Sequence, residues 1–257
     1  DEEFLVSTYI CHPYMGNNEA SGPAVALACA KRLMNNPPKK YGVRFIFIPE
    51  TIGSLVYVHQ NLKRVFDKTI GGVVLSCLGD PGDFSFIPAR RANSYISVLV
   101  QRLLSEQFLS HNKYDWLKDR GSDERQFCWP SIDLDVVSIS RSKYNEYPEY
   151  HTSLDDISFI NQKNLLESYK FILNLIESIQ INRRYQSTTI GEPKLDKLGL
   201  YRTTSLNGTT KQPNNLLNFL SLCDGHTDLN MISEALGLSD DSIASLADTA
   251  FKHGLIK

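Results

Sequence analysis

Residues 43–49, with the sequence VRFIFIP, form an almost uninterrupted apolar run of strand length. A run of this kind is typical of a β-strand covered on both faces, as in the parallel sheet of an α/β domain. Similar runs lie at 4–10, 71–79 and 132–139, and they alternate with stretches that read as helices. Those helix-like stretches lie at 20–35, 53–63, 94–108 and 161–182. The alternation predicts a three-layer α/β/α domain around a sheet with a mostly parallel centre.

The pattern changes near residue 183, where a polar segment rich in Gly, Pro, Thr and Asn begins. After this segment the chain reads as three short helices and a final apolar pair. Glycine is favoured just after a helix, and three glycines mark these helix ends: Gly225, Gly237 and Gly254. We predict an α/β domain over 1–182 and a small winged helix-turn-helix over 183–257. A generic three-helix cap fits the second segment almost as well.

The charge balance gives no reason to expect nucleic acid or an anionic membrane as a partner. The 257 residues carry a net charge of -2, so the whole chain exerts no attraction on phosphates. The predicted winged helix is itself acidic, and phosphate contacts need cations. We therefore expect this module to contact protein or to form a homo-oligomer rather than to bind DNA.

The sequence also limits where the chain is expected to reside. No apolar run reaches the roughly 18 to 20 residues of a membrane span, and no signal peptide is visible. The five cysteines are scattered and form no CxxC pair, which favours reduced thiols in the cytoplasm. Residue 1 lies almost directly before a predicted strand, so we expect an upstream part of the fold to be missing from this chain.

Polar residues with reactive side chains follow the predicted strands. His12, Asn18 and Glu19 follow the first run, Glu50 follows the second, and Asp80 follows the third. The loops around the fourth run add Asp123, Glu124, Arg125, Tyr150 and His151. Ligands bind at the carboxyl ends of strands in an open α/β sheet. Imidazole and carboxylate groups at one edge are what a hydrolytic metal site needs, including a carboxylate that takes a proton from water.

Each of these residues also has an ordinary structural explanation. A lone histidine after a strand, such as His12, is more often a hydrogen-bonded loop residue than a ligand. Asn18 or Glu19 would serve a helix by accepting hydrogen bonds from its free N–H groups. Glu50 would cap a helix or pair with an arginine. The case for a site therefore depends on the order and spacing of the motifs.

Six short motifs occur along residues 4 to 180 in a distinctive order. They are His12 after a strand, NEASG (18–22), ETIGS (50–54), SCLGD (76–80), SDERQF (122–127) and HTSLD (151–155). This order resembles the zinc aminopeptidase superfamily, which also includes glutaminyl cyclases. The longer stretches HPYMGNNEASGP, GSDERQF and EYPEYHTSLDD look like aminopeptidase-like proteins with a C-terminal winged helix, which are associated with polysaccharide biosynthesis. The resemblance implies a zinc-peptidase-like fold and hydrolysis of amide bonds.

Several positions depart from the family pattern. The family's bridging aspartate falls on Asn18, its second glutamate on Thr51, and the histidine of SDHxxF on Glu124. The strand aspartate falls on about Ser76, and Asp80 comes four residues late. A two-zinc centre needs several carboxylates to balance its charge, and at least two of them are lost.

The resemblance therefore implies a single, degenerate zinc site. His12 and His151 are retained as ligands, and an oxygen from Asn18, Glu19 or Glu50 would complete the set. Glu50 is also retained as the general base. We expect one zinc ion as the cofactor.

Six residues are predicted to contact the substrate: Asp123, Glu124, Arg125, Arg91, Tyr150 and Asp80. Arginine there would bind a carboxylate or phosphate through its fork of N–H donors, and carboxylates would receive an amine or sugar hydroxyls. Tyr150 is one of three closely spaced tyrosines that suit stacking on a sugar or peptide. Surface ion pairs and ordinary packing explain the same residues equally well.

Two functions remain open from the sequence. The first is a zinc-dependent, aminopeptidase-like hydrolase that acts on a small, peptide or glycan-linked amide. The second is a catalytically inactive protein of the same fold that binds a ligand in the cleft and uses the winged helix for protein contact. The lost carboxylates favour the second function, whereas the retained histidines and Glu50 favour the first.

Overall fold

The computed structural model describes residues 2–12, 14–200 and 215–257. The chain divides into two compact units, Asp1–Gln180 and Ile181–Lys257. Each unit has its own apolar core.

The first unit contains six strands and seven helices within the described residues. In chain order they are β1 (Glu3–Tyr9), a π-helical turn (Gly16–Ala20), α1 (Ser21–Asn35), β2 (Gly42–Ile48), α2 (Ile52–Gln60), α3 (Leu62–Lys68), β3 (Thr69–Leu75), β4 (Ser85–Ile87), α4 (Tyr95–Gln107), β5 (Asn112–Lys113), α5 (Trp116–Asp119), α6 (Glu124–Phe127), β6 (Val136–Ser140) and α7 (Gln162–Ile181). The predicted strands and helices are all present, with shifted ends.

Two differences from the predicted elements have local causes. The predicted helix over 53–63 is broken at Asn61, whose side-chain Nδ2 donates to the carbonyl of Tyr57 at 2.8 Å. The predicted strand over 132–139 begins only at Val136, because Asp133 adopts a left-handed φ of 52° that ends extended structure. The short strands β4 and β5 were not predicted, since neither is long enough to show a periodic pattern.

The six strands form one sheet in the order β2-β1-β3-β6-β4-β5. β1 pairs with β2 and β3 in parallel, and β3 pairs with β6 in parallel. β4 runs antiparallel to β6. The predicted mostly parallel centre is therefore confirmed, and the carboxyl ends of β1, β2, β3 and β6 lie at one edge of the sheet.

Helices cover the sheet on both faces. On one face, Leu5 and Val74 pack with Val58 of α2, Val65 of α3 and Phe127 of α6. α1 lies on the other face, since a Cβ on its Gly22 would meet Thr8 Oγ1 at 2.5 Å, and Thr8 points opposite to Leu5 along β1. The Sγ atom of Cys29 in α1 donates to the carbonyl of Tyr169 in α7 at 3.9 Å. These contacts give the predicted three layers.

The second unit holds a two-stranded sheet and three helices among its described residues. Its elements are β7 (Arg184–Gln186), a 3-10 turn (Leu195–Leu198), α8 (Asn215–Leu222), β8 (Asp224–Asp228), α9 (Leu229–Leu236) and α10 (Asp240–Lys252). β7 and β8 are antiparallel. Part of the predicted polar segment lies outside the described residues.

The core of the second unit is formed where its three helices meet. Phe219, Ile232, Ile243 and Ala250 are buried together, and Ile256 bridges back to Ser187 in antiparallel fashion. Side chains cap two of the helices, with Asp228 accepting from the N–H of Met231 and Ser239 from that of Ser242. In the part of the chain that the structure describes, no helix has the length and apolarity of a membrane span.

Candidate functional site

The candidate site lies at the edge where the parallel strands end. The chain leaves β1 at Tyr9 and β2 at Ile48, and the two exits stay paired, because the N–H of Ile10 donates to the carbonyl of Ile48 at 3.1 Å. The residues that follow, Cys11 and Glu50, are also in contact, since the N–H of Glu50 donates to Cys11 Sγ at 3.3 Å. The sheet therefore brings these two loops together, as predicted from strand order.

Cys11, His12 and Glu19 form a compact cluster of potential ligand atoms. One sulfur, nitrogen or oxygen atom from each residue lies within 4.8 Å of the others. His12 Nδ1 is 2.8 Å from Glu19 Oε1, and Glu19 Oε2 accepts from the N–H of Cys11 at 2.9 Å. Glu19 is buried, whereas the His12 side chain is 42% exposed. The cluster is thus open on the side of His12 and closed on the side of Glu19.

A π-helical turn places Glu19 in this cluster. It covers Gly16–Ala20 and leads directly into α1, and single π-turns of this kind are frequent at functional sites. The neighbouring Asn18 is held differently: its Oδ1 accepts from the hydroxyl of Tyr9 at 3.1 Å and lies 3.7 Å from Cys77 Sγ. Of the predicted oxygen donors, Glu19 is therefore the one that contacts His12.

His151 lies beside His12 at the mouth of the cluster. The two imidazole rings have centroids 4.9 Å apart. The ring of Tyr150 stacks on His151 with a centroid distance of 4.0 Å and an interplanar angle of 11°. The backbone of His151 is left-handed, with a φ of 55°, which is strained for a residue other than glycine. The structure brings the two predicted histidines together, and the assignment of His151 as a ligand stays a prediction.

Glu50 is fixed at the same edge by a serine of the SDERQF motif. The hydroxyl of Ser122 donates to Glu50 Oε1 at 2.7 Å. The glutamate is half-buried, so its carboxylate is both oriented and accessible. This geometry suits the predicted role of a general base, which needs a defined direction and contact with solvent.

The next residue, Thr51, has a strained backbone that its neighbours hold in place. Its φ of 63° and ψ of -62° are unusual for a β-branched residue. Its N–H donates to Asp123 Oδ1 at 2.7 Å, and its hydroxyl accepts from Arg125 at 2.8 Å. The hydroxyl of Ser54 also donates to Asp123 Oδ1 at 2.8 Å. Arg125 and Asp123 therefore act here on the loop that carries Glu50.

Asp123 and Glu124 are both fully buried carboxyl groups. Burial raises the pKa of Asp123 to about 6, against the opposing hydrogen bonds from Thr51 and Ser54. Burial likewise raises the pKa of Glu124, although the N–H groups of Gly121 and Ser122 lower it. Within the described residues, Asp123 Oδ2 and Glu124 Oε2 have no hydrogen-bond partner. Neither carboxyl reaches the surface, so a direct substrate contact requires a ligand that enters deeply.

Replacement of Asp123 by asparagine is expected to flatten the pH dependence of stability. The pKa of Asp123 is about 6 in the folded protein, against an ordinary value of 3.8. At a pH between these two values, the folded state therefore holds a proton that the unfolded state has lost. The free energy of unfolding therefore falls as pH rises from about 4 to 6, by up to about 3 kcal/mol. Asp123→Asn keeps the shape and removes this loss, so it should be the more stable protein at pH 8.

Denaturant unfolding at pH 5 and pH 8 measures this effect. Both tryptophans of the chain, Trp116 and Trp129, belong to the first unit, so their fluorescence reports on the unit that contains Asp123. Asp67→Asn, at an exposed helix position that faces Lys63, is the matched control and should leave the pH dependence unchanged. If Asp123→Asn loses as much stability as wild type between pH 5 and pH 8, the raised pKa of Asp123 is contradicted.

Two predicted substrate contacts are already engaged in other interactions. Asp80 is fully buried, and its carboxylate accepts from the side chains of Asn17 at 2.8 Å and Ser142 at 2.6 Å. Arg91 forms an ion pair with Asp133, which Arg90 also contacts at 2.6 Å. These contacts favour a structural role for Asp80, and they leave the guanidinium of Arg91 paired with a carboxylate.

Asp155, the last residue of the HTSLD motif, anchors the π-turn. Its buried carboxylate accepts from the backbone N–H groups of Asn17 and Asn18. The hydroxyl of Tyr147 lies 3.4 Å from Asp155 Oδ2, and the carbonyl of Asp155 accepts from the N–H of Gly16 at 2.8 Å. The loop that carries His151 is thereby tied to the turn that carries Glu19.

Comparisons with known proteins identify the family and the fold of the chain. Residues 1–182 match a sequence family described as a domain of unknown function, DUF4910. The chain belongs to the DUF4910 family. Residues 183–257 match a winged helix-turn-helix family, so the second unit of this DUF4910 protein is a winged helix, as predicted.

A relative from Clostridium acetobutylicum is 34% identical over the whole of this chain. It is named for polysaccharide biosynthesis and for an aminopeptidase-like domain, and the chain spans 59% of its length. A crystal structure of a C. acetobutylicum protein described as a peptidase has a TM-score of 0.72 and 32% identity, and it is matched over 100% of this chain and 57% of that one.

A zinc aminopeptidase from Bacillus subtilis shares the fold at lower identity. Its TM-score is 0.59 at 17% identity, over 69% of this chain and 46% of that one. These similarities confirm the predicted resemblance and the aminopeptidase-like fold of this DUF4910 member.

Two residues of the site were missed in the sequence. Cys11 directly precedes His12, and its position at the end of the same strand was the available signal. Ser122 precedes Asp123 in SDERQF, but nothing in the sequence indicated that its hydroxyl would reach Glu50, because the two residues are 72 positions apart.

Proposed function

We propose that this chain is an aminopeptidase-like hydrolase that binds a single zinc ion through His12 and Glu19 and uses Glu50 as its general base. The observation that carries the proposal is the cluster of Cys11, His12 and Glu19, open to solvent at His12 and adjacent to the oriented carboxylate of Glu50. An imidazole and a carboxylate at hydrogen-bond distance form the kind of donor pair that zinc binds.

The donor chemistry fits one zinc ion better than two. The cluster supplies sulfur, nitrogen and oxygen atoms, all of which zinc accepts. Asn18 faces Tyr9 instead of the cluster, and Thr51 is engaged with Asp123 and Arg125. The carboxylates that a second dication would need are therefore absent from these two positions.

Each residue of the site has a defined task in the proposed reaction. Zinc, when bound, polarises an amide carbonyl and makes water more acidic. Glu50, oriented by Ser122, takes the proton from the attacking water and passes it to the leaving amine. The rings of Tyr150 and His151 stack on each other beside His12, and this aromatic pair is proposed to contact a sugar ring or peptide group at the mouth of the cluster.

The substrate class follows from the name of the C. acetobutylicum relative and from the aromatic pair of Tyr150 and His151 beside His12. We propose a small, peptide or glycan-linked amide, such as an acylamino group of a sugar in polysaccharide assembly. Aromatic side chains beside a proton-accepting glutamate suit such an uncharged amide.

Metal content after zinc reconstitution tests the proposal. The wild-type protein is expected to retain about one zinc ion per chain, and His12→Ala is expected to lose it, because the variant lacks the imidazole of the proposed His12 and Glu19 donor pair. His59→Ala, which changes an exposed histidine near the end of α2, is the matched control and should keep the metal. The proposal is contradicted if the wild-type protein contains no zinc after reconstitution.

A second function is favoured by one specific observation. Glu124 stands where the family carries a histidine, and it is fully buried with its Oε1 held by the N–H groups of Gly121 and Ser122. A site in which a buried carboxylate that anchors the loop has replaced this histidine suits a binding protein that has lost catalysis. Such a protein would bind ligand in the cleft without turnover, whether or not zinc is present.

A further inference from the structure

We infer that Cys11, rather than His151, supplies the third protein ligand of the single zinc site. This inference rests on the proposed function and specifies its ligand set. Cys11 Sγ lies 3.6 Å from Glu19 Oε1 and belongs to the compact cluster with His12 and Glu19. His151 makes its ring contacts with His12 and Tyr150 at the mouth.

A dication bound at the site would favour the thiolate form of Cys11. Cys11 as thiolate and Glu19 as carboxylate carry two negative charges, which balance one dication, and neutral His12 adds none. The thiol proton is released to solvent when the metal binds. The cysteine thus replaces the negative charge that the carboxylate positions at Asn18 and Thr51 no longer supply.

The surroundings of Cys11 also hold its sulfur in place. The N–H of Glu50 donates to Cys11 Sγ at 3.3 Å, and the N–H of Cys11 itself donates to Glu19 Oε2 at 2.9 Å. Hydrogen bonds of this kind from outside the ligand set orient metal ligands in proteins. They also connect the sulfur directly to the residue proposed as general base.

Three protein ligands leave a fourth tetrahedral position open for water or substrate. His151 is then not required as a ligand, and it lies beside His12 with its ring stacked on Tyr150. The remaining cysteines of the chain, Cys29, Cys77, Cys128 and Cys223, are all buried, whereas Cys11 is exposed. Cys11 can therefore be followed selectively in the native protein.

Cobalt substitution tests the inference without an activity assay. Co²⁺ added to metal-free wild-type protein should produce an intense near-ultraviolet sulfur-to-cobalt charge-transfer band. Cys11→Ser should abolish the band and weaken cobalt affinity by about tenfold or more, whereas His151→Ala should keep the band. Cys29→Ala, at a buried thiol in α1, is the matched control and should also keep it.

The outcomes separate this inference from the proposed function. The role of Cys11 is overturned if cobalt binds to the wild-type protein without a sulfur-to-cobalt band. It is also overturned if the band persists in Cys11→Ser. Neither outcome contradicts the proposed zinc site itself. Failure of wild type to bind cobalt or zinc at all overturns both.

Alkylation of the native wild-type protein gives a second test that requires no variant to fold. One thiol should react with iodoacetamide in the metal-free protein, and mass spectrometry of peptides should identify it as Cys11. Saturating zinc should slow its reaction by about tenfold or more, because a bound thiolate is a poor nucleophile. Unchanged reactivity with zinc bound would overturn the inference.

Discussion

Replacement of Asp155 by alanine is expected to lower the free energy of unfolding of the first unit by about 3 kcal/mol. The carboxylate is buried and accepts from the N–H groups of Asn17 and Asn18 at the start of the π-turn. Removal leaves two buried donors without partners, and each such group costs about 1 to 3 kcal/mol. Lost stabilisation of the turn should also loosen Glu19, so zinc affinity should fall together with stability.

The adjacent Asp156 provides the matched control. It is exposed, and its carboxylate accepts from the N–H and hydroxyl of Ser158 within its own loop. Asp156→Ala should therefore change stability much less than Asp155→Ala. Denaturant unfolding followed by tryptophan fluorescence measures both variants, and equal stability of Asp155→Ala and wild type would show that the π-turn does not depend on this carboxylate.

The sheet could be predicted because its central strands are buried on both faces. A strand such as β2 or β3 leaves a continuous apolar run that no surface element would carry. The antiparallel β4 and the four-residue helix α6 left no such signal, because elements this short are specified by tertiary contacts. The hydrogen bonds of Asp123 to Thr51 and Ser54 are an example, since they fix α6 beside α2.

The site was predictable in its location more than in its contacts. Strand order places His12, Glu50 and His151 at one edge, and the structure brings the two histidines together. The sequence could not distinguish Asn18 from Glu19 as the neighbour of His12. That choice depends on a π-turn, which shifts the side chains by one position relative to an α-helix, and no sequence pattern indicates such a turn.

Glu50→Gln is expected to lower kcat/KM for amide hydrolysis by about 10³-fold, in line with the loss of a general base. Glutamine keeps the shape of the side chain and still accepts from Ser122, but its amide cannot take a proton from water. Zinc content should be unchanged, because Glu50 is not in the proposed ligand set. The measurement uses a panel of chromogenic aminoacyl amides and acylamino sugars, with kinetics determined on whichever substrate wild type hydrolyses fastest.

Glu106→Gln is the matched control, since this exposed glutamate on α4 pairs with Arg102 across 3.8 Å, and its rate should equal that of wild type. The combined readout of rate and metal decides between the two functions. If wild type is active and Glu50→Gln binds zinc but is inactive, the protein is a hydrolase that uses Glu50 as its base. An active Glu50→Gln removes Glu50 as the base. Zinc-loaded wild type that hydrolyses nothing in the panel favours the binding protein, in which the hydrogen bond from Ser122 to Glu50 serves ligand recognition instead of proton transfer.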